Sequence, residues 1–233
     1  MPNNVKNTTF VGLLDLIAPH SCRGCGRLGN IICDRCKNNI ITNQLHLCPN
    51  CKTKTKAHHC NKCKTLPPTY IVGERSSLIG KLVHDYKYYS IRALEKPLAE
   101  TLDQTLPATT NKTILVPLPT ISRHVRERGF DHTYRVAKHL AKIRGKNYQT
   151  QKLLLRSKNT VQVGSDRSTR LTQADSAYTI SPKIKIDQDA TYILFDDVWT
   201  TGASLKAATK KLRQAGARDI IIAILALSRL DQK

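Results

Sequence analysis

The chain has 233 residues, 40% of them hydrophobic, and 38 Lys and Arg against 17 Asp and Glu give a formal net charge of +21. That length suits one full domain and a small one, and no apolar run reaches the length of a bilayer span, Phe10 to Ala18 being nine residues broken by Asp15. The positive field favours polyanions, nucleic acid first and anionic membrane second, while 5% aromatics and no Arg-Gly repeats argue against a broad stacking platform.

Residues 1–19 lack a basic stretch followed by a long apolar one. They are expected to form a helical segment rather than a secretory leader, with the cytoplasm as the location. All eight cysteines follow between 22 and 63 as four Cys-x-x-Cys pairs. Cys22, Cys25, Cys33 and Cys36 make one half of a twofold repeat, and Cys48, Cys51, Cys60 and Cys63 the other. Each half offers four thiolates at zinc-knuckle spacing. Clustered pairs in a chain without a leader favour metal over disulfides, and a redox-active pair would come singly beside a βαβ pattern. Residues 20–66 are therefore expected to be a double zinc ribbon with two structural Zn²⁺ ions. The spacing admits pairing within each half and also a cross-braced arrangement. A site closed by four cysteines has no open position for catalysis. The segment has so few large apolar residues that it needs the metal to fold. Its nine Lys and Arg against one Asp, less the charge of eight thiolates on two zincs, leave it cationic at about +4. His46, His58 and His59 are spare candidates, expected in solvent.

Leu66-Pro67-Pro68 marks a boundary, and 69–233 forms the second domain. Residues 76–88 and 90–106 read as helices. The second has Ser90 as its candidate cap, Leu94, Leu98 and Leu102 on one face, and Pro97 predicting a kink or late start. Thr113 to Val116 reads as a buried strand ended by Pro117-Leu118-Pro119. A helix over 131–144, with Val136, Leu140 and Ile143 inward, stops at Gly145. Then come a strand at 152–156, a polar loop at 157–168, a short helix and a strand around Tyr178. Helix 203–215 carries Leu205, Ala208, Leu212 and Ala215 on one stripe, and Ile220 to Leu227 closes the sheet. Strands alternating with helices imply an α/β fold with a mainly parallel sheet.

Residues 192–204 carry the most chemistry. Apolar Tyr192 to Phe195 suit a strand covered on both faces, and Asp196 and Asp197 fall at its carboxyl end, where open α/β sheets bind ligands. Adjacent carboxylates there accept hydrogen bonds from a vicinal diol such as a ribose. Thr200, Thr201 and Ser204 supply hydroxyls, Gly202 lets backbone approach a phosphate, and the helix opening at Ala203 favours an anion. The glycine and lysine spacing of Rossmann and Walker loops is absent. Two further loops add to this. One follows Pro119 and holds Arg123, Arg126 and Arg128, suited to a diphosphate. The other, Ser157 to Arg170, is long and polar enough for a lid.

The strand, acidic pair and Thr-Thr-Gly turn match the phosphoribosyl-pyrophosphate signature of type I phosphoribosyltransferases. Together with the ribbon, Val-Pro-Leu-Pro at 116–119, Arg-Glu-Arg-Gly-Phe at 126–130, Leu13-Leu14-Asp15-Leu16 and Tyr86-Lys87-Tyr88, the chain resembles the ComF family from about Leu13 to Leu227. The resemblance implies a double zinc ribbon joined to a type I phosphoribosyltransferase-like, mostly parallel sheet flanked by helices. It also implies a role in natural competence, handling incoming single-stranded DNA on the cytoplasmic side. A competence helicase or another DNA-uptake protein would be the protein partner. Carried over, Thr200 to Ser204 (Thr200, Thr201, Gly202, Ala203, Ser204) would cradle the 5′-phosphate, and Asp196 and Asp197 would bind the ribose hydroxyls. The loop from Thr120 to Arg128 would contact diphosphate, 159–170 would be the lid, and Mg²⁺ would accompany phosphoribosyl pyrophosphate. The chain departs from the family at Asp131 and His132, where Asn-Gln is common, and at Gln173. A base-salvage phosphoribosyltransferase and a non-catalytic adaptor are the alternative functions. The zinc module and the charge argue against the first, and the intact Asp196-Asp197 and Thr200-Thr201-Gly202 against the second.

Overall fold

The computed structural model describes residues 20–55, 58, 60–63, 66–156 and 177–228. The helix expected before residue 20, His59, the lid at 159–170, the short helix after it and Gln173 lie outside these residues. A parallel five-stranded sheet forms the centre, in the order β3-β9-β8-β4-β5. Its strands are β3 (Thr69–Glu74), β4 (Thr113–Pro117), β5 (Tyr148–Thr150), β8 (Thr191–Trp199) and β9 (Asp219–Leu227). Two antiparallel pairs stand apart from it: β1 (His20–Ser21) with β2 (Leu28–Gly29), and β6 (Leu154–Arg156) with β7 (Tyr178–Ile180).

The central strands are apolar on both faces because helices cover both sides, the rule for parallel sheets. Successive side chains alternate between two cores. Ile193, Phe195, Leu115 and Ala223 join the core under α2 (Leu78–Tyr88), α3 (Glu95–Asp103) and α5 (His132–Arg144). Tyr192, Leu194, Ile114 and Ile222 join the core under α6 (Ala203–Gln214). The connection from β4 thus runs over one face and the connection from β8 over the other. The crevice between β4 and β8 is the topological switch point, where doubly wound sheets bind ligands.

Several expectations shift. Strand β3, not foreseen, precedes α2 and forms an edge of the sheet. Ser90 does not cap a helix: it lies at φ 54, followed by a 3₁₀ turn over Arg92–Leu94 before α3 begins at Glu95. Pro97 then sits in the first turn of α3, where a missing N–H does no harm. The segment after Pro119 is helical, α4 (Ser122–Arg128), supported by Arg123 and Glu127 one turn apart at 2.6 Å and ended by Gly129 at φ 79. Ile143 is 41% exposed rather than inward, and Ala215 caps α6 in solvent.

The cysteine segment is not a separate bead. It holds α1 (Asp34–Thr42) and runs along the open edge of β3, where Leu45 bridges Ile71. Cys22, Ile32, Cys36 and Ile40 belong to the core under α2, and Cys48 to the core under α6.

Candidate functional site

Four sulfurs converge twice. The Sγ atoms of Cys22, Cys25, Cys33 and Cys36 all lie within 4.8 Å of one another, as do those of Cys48, Cys51, Cys60 and Cys63. Pairing is therefore within each half, not cross-braced. Cys25 and Cys33 are 3.7 Å apart and Cys51 and Cys60 3.5 Å, near the roughly 3.8 Å that sulfurs keep around a tetrahedral zinc. Backbone N–H groups aim at the sulfurs, Cys33 N to Cys22 Sγ and Cys63 N to Cys60 Sγ at 3.3 Å each. Such donors suit thiolates. Burial acts to raise Cys22, but amide bonds from Cys33, Cys25 and Gly24 outweigh it and bring the thiol down to about 6, whereas burial pushes Cys36 and Cys48 up to about 12. The residues fit two structural zinc ions, which would tie the knuckles together. Of the spare histidines, His46 is exposed as expected, its ring tilted against His58 at 5.2 Å, whereas His58 is half-buried and stacks on Tyr70 at 3.9 Å.

At the switch point a cleft of about 340 Å³ opens. Strand β8 outruns β4: their last pair is Pro117 with Phe195, so Asp196 and Asp197 project beyond the end of β4. Both line the cleft, with Thr200 and Ser204 from the turn into α6. Gly202, the N-cap of α6, is at φ 74. A Cβ there would stand 2.0 Å from Trp199 Cζ2, so the turn requires glycine.

The two carboxylates occupy different environments. Asp197 Oδ2 receives His132 Nε2 at 2.9 Å and Lys87 Nζ at 2.8 Å. Arg128 Nη1 lies 2.6 Å from His132 Nδ1. Because guanidinium only donates, Nδ1 accepts and Nε2 carries the hydrogen given to Asp197. Burial works to raise Asp197, but the His132 hydrogen bond and the Lys87 ammonium outweigh it and hold the acid well below the carboxylate range. Asp196 goes the other way: enclosure by protein, reinforced by the charge of Asp197, pushes it well above that range. Adjacent acids in a cleft whose environments drive them apart make this a candidate functional site.

The cleft is otherwise cationic. Arg75 follows β3, Lys87 comes from α2, Arg128 ends α4, and Arg156 ends β6. Of the predicted residues, Asp196, Asp197, Thr200, Ser204 and Arg128 come together here. Thr201, Gly202 and Ala203 form the turn without lining the cleft. Arg123 and Arg126 are exposed on α4 and do not reach it, Arg123 being held by Glu127. Sequence reasoning missed Arg75 and Arg156, isolated arginines at strand ends that no motif marks. His132 stood out only as a departure, and Asp131 beside it proves to be the N-cap of α5, accepting from Tyr134 N at 3.3 Å.

No family model matches this sequence, and no curated protein matches it either. Among solved structures, that of the allosteric regulatory enzyme of purine biosynthesis is similar with a TM-score of 0.43 and 14% identity, over 61% of this chain and 30% of that one. The chain thus spans less than a third of that protein's length.

Proposed function

We propose that the cleft binds phosphoribosyl pyrophosphate with Mg²⁺ and transfers its phosphoribosyl group to an acceptor, and that the protein serves as a ComF-type factor handling incoming single-stranded DNA in the cytoplasm. One observation carries the nucleotide reading. An acidic pair at a sheet switch point faces four cationic side chains and a hydroxyl turn at a helix N-terminus. A ligand with a diol, a terminal phosphate and a diphosphate matches those three parts.

In this reading the free N–H groups of α6 and the hydroxyls of Thr200 and Ser204 take the 5′-phosphate. Asp196 faces the ribose hydroxyls. Asp197, saturated by Lys87 and His132, fixes the lysine rather than touching sugar. Arg75, Arg128 and Arg156 stabilise the charge that grows on the departing diphosphate. Bound Mg²⁺ would supply further charge neutralisation with oxygen ligands from the diphosphate and water. The DNA reading is supported by the net charge of +21 and by the resemblance of the whole motif order.

Titration calorimetry of phosphoribosyl pyrophosphate in Mg²⁺ is the test. Saturable 1:1 binding is expected, with ribose 5-phosphate and pyrophosphate each at least tenfold weaker. Equal affinity for pyrophosphate alone would reduce the cleft to an anion trap and refute the assignment of Asp196.

A further inference from the structure

We infer that the two cysteine clusters act as a brace that sets the cleft, each gripping a helix that delivers site groups, α2 for one and α6 for the other. The inference rests on the nucleotide reading above for its consequence, though not for its geometry.

The first cluster holds α2. Arg23, inside the Cys22-x-x-Cys25 knuckle, points its guanidinium at Asp85 on α2, with Nη2 2.8 Å and Nε 2.9 Å from Oδ2. Asp85 is 3% exposed while the Arg23 side chain is 36% exposed, so a buried carboxylate on α2 takes its counter-charge from the knuckle. Lys81, one turn earlier, donates to the carbonyl of Arg23 at 2.7 Å. Gly24 completes the fit: a Cβ there would stand 2.7 Å from Cys36 Sγ and 3.0 Å from Leu78 at the start of α2. Helix α2 is thus registered on the knuckle at three successive turns. Two residues after Asp85 comes Lys87, the cation on Asp197.

The second cluster holds α6. Asn50, inside the Cys48-x-x-Cys51 knuckle, donates Nδ2 to Cys63 Sγ at 3.3 Å and accepts Lys206 Nζ on Oδ1 at 2.5 Å. A single amide links a zinc-ligand sulfur to the first turn and a half of α6, whose N-terminus carries Ser204 and follows Gly202. Neither Asn50 nor Lys206 lines the cleft. Both knuckles therefore use the residues between their cysteines to fix a helix, on opposite faces of the sheet. Zinc held by the four cysteines of each cluster would supply the rigid corner that makes each grip directional. Arg23, Asp85, Asn50 and Lys206 are positioning residues, acting on the cleft through α2 and α6.

The experiment uses the full zinc-loaded chain. In Lys206→Met, and in Arg23→Gln/Asp85→Asn, zinc content should stay at two per chain. Affinity for phosphoribosyl pyrophosphate with Mg²⁺ should fall about five- to tenfold, in the usual range for coupled sites. Lys206→Arg, which can still donate to Asn50, should restore it. Independently of any nucleotide, withdrawing zinc with a chromogenic chelator should speed amide hydrogen exchange in Leu78–Tyr88 and in the first turns of α6, and leave His132–Arg144 protected. Unchanged affinity in the zinc-replete variants, or equal protection of both helices with and without zinc, overturns the brace. If the wild-type chain binds no phosphoribosyl pyrophosphate, the nucleotide reading falls and the exchange result alone decides the brace.

Discussion

Neighbouring carboxylates in one strand should respond to the same substitution with opposite signs. Burial and the charge of Asp197 both work against an ionised Asp196, so Asp196→Asn removes that cost while Asn Oδ1 can still accept from Asp197 N, now 2.9 Å from Asp196 Oδ1. Relief of such a site is worth about 1 kcal/mol, a rise in melting temperature of about 2–4 °C for a chain of this size. Asp197→Asn instead strips the anion from Lys87 and from the His132 hydrogen bond. Lys87 can turn partly to solvent, its side chain being 25% exposed, so the loss falls below the 3–5 kcal/mol of a fully buried pair, at about 2 kcal/mol, or about 4–8 °C. The pH dependence follows from the directions. Asp196 has a raised folded value, so it costs stability at every pH above the ordinary carboxylate value. The gain from Asp196→Asn should be full above that folded value and shrink as pH falls from it to the ordinary carboxylate range. Asp197 has a lowered one: its stabilisation is present above the ordinary carboxylate value and is lost only as pH falls through the folded value in strong acid. Differential scanning calorimetry between pH 4.5 and 8 reads the sign of both substitutions, with the Asp197→Asn loss constant across that range. Destabilisation by Asp196→Asn at pH 8, or shifts of the same sign in both variants, would refute this account of the pair. Asp196→Asn should also lose the ligand-induced stabilisation, about 2.7 kcal/mol at a hundred dissociation constants of phosphoribosyl pyrophosphate.

Three other outcomes are expected. Gly202→Ala forces a Cβ into the Trp199 ring at positive φ. It should cost about 2 kcal/mol or more and red-shift the emission of Trp199, the sole tryptophan; an unchanged spectrum would show that the turn relaxes. Arg144→Lys should lower stability by about 2 kcal/mol on a urea curve, because Arg144 alone bonds the carbonyls of Asp103, Leu106 and Pro107 at the end of α3, a fork that an ammonium cannot copy. Single-stranded oligonucleotide affinity should drop about a hundredfold between 50 and 200 mM salt if about five phosphates are neutralised; a flat response in a fluorescence-anisotropy titration would remove the DNA proposal.

The parts legible in the sequence were those where one local rule decides. Cys-x-x-Cys spacing brings sulfurs together through tight turns that need nothing from the rest of the chain. The run from Tyr192 to Phe195 could only be a covered strand, and Gly202 had to make the turn that its φ of 74 requires. The arginines after Pro119 failed because charge says nothing about direction. Arg123 satisfies itself on Glu127 one turn away, whereas Arg128, next to the αL residue Gly129, is turned back onto Lys87 O at 2.7 Å and His132. Arg75 and Arg156 reach the cleft only because β3 and β6 end beside it, a fact of topology. Strand β3 itself hid behind Leu66-Pro67-Pro68, which reads as a linker until the edge partner is known.

That edge explains why the ribbon and the sheet cannot be taken as independent units. A parallel sheet ending at β3 would present a bare row of backbone groups and an open core on both faces, a template for association with other chains. The cysteine segment closes it: Leu45 takes the free edge at Ile71, Ile32 and Ile40 seal one core, and Leu66 with Cys48 seals the other. Lys37 reaches Glu100 on α3 at 2.5 Å, adding a third tie across the same seam. A segment so poor in apolar residues is stabilised by the sheet it covers, and would be by zinc in its two cysteine clusters, while the sheet in turn depends on it. Loss of zinc should therefore be felt as exposure of the β3 edge as well as in the ribbon.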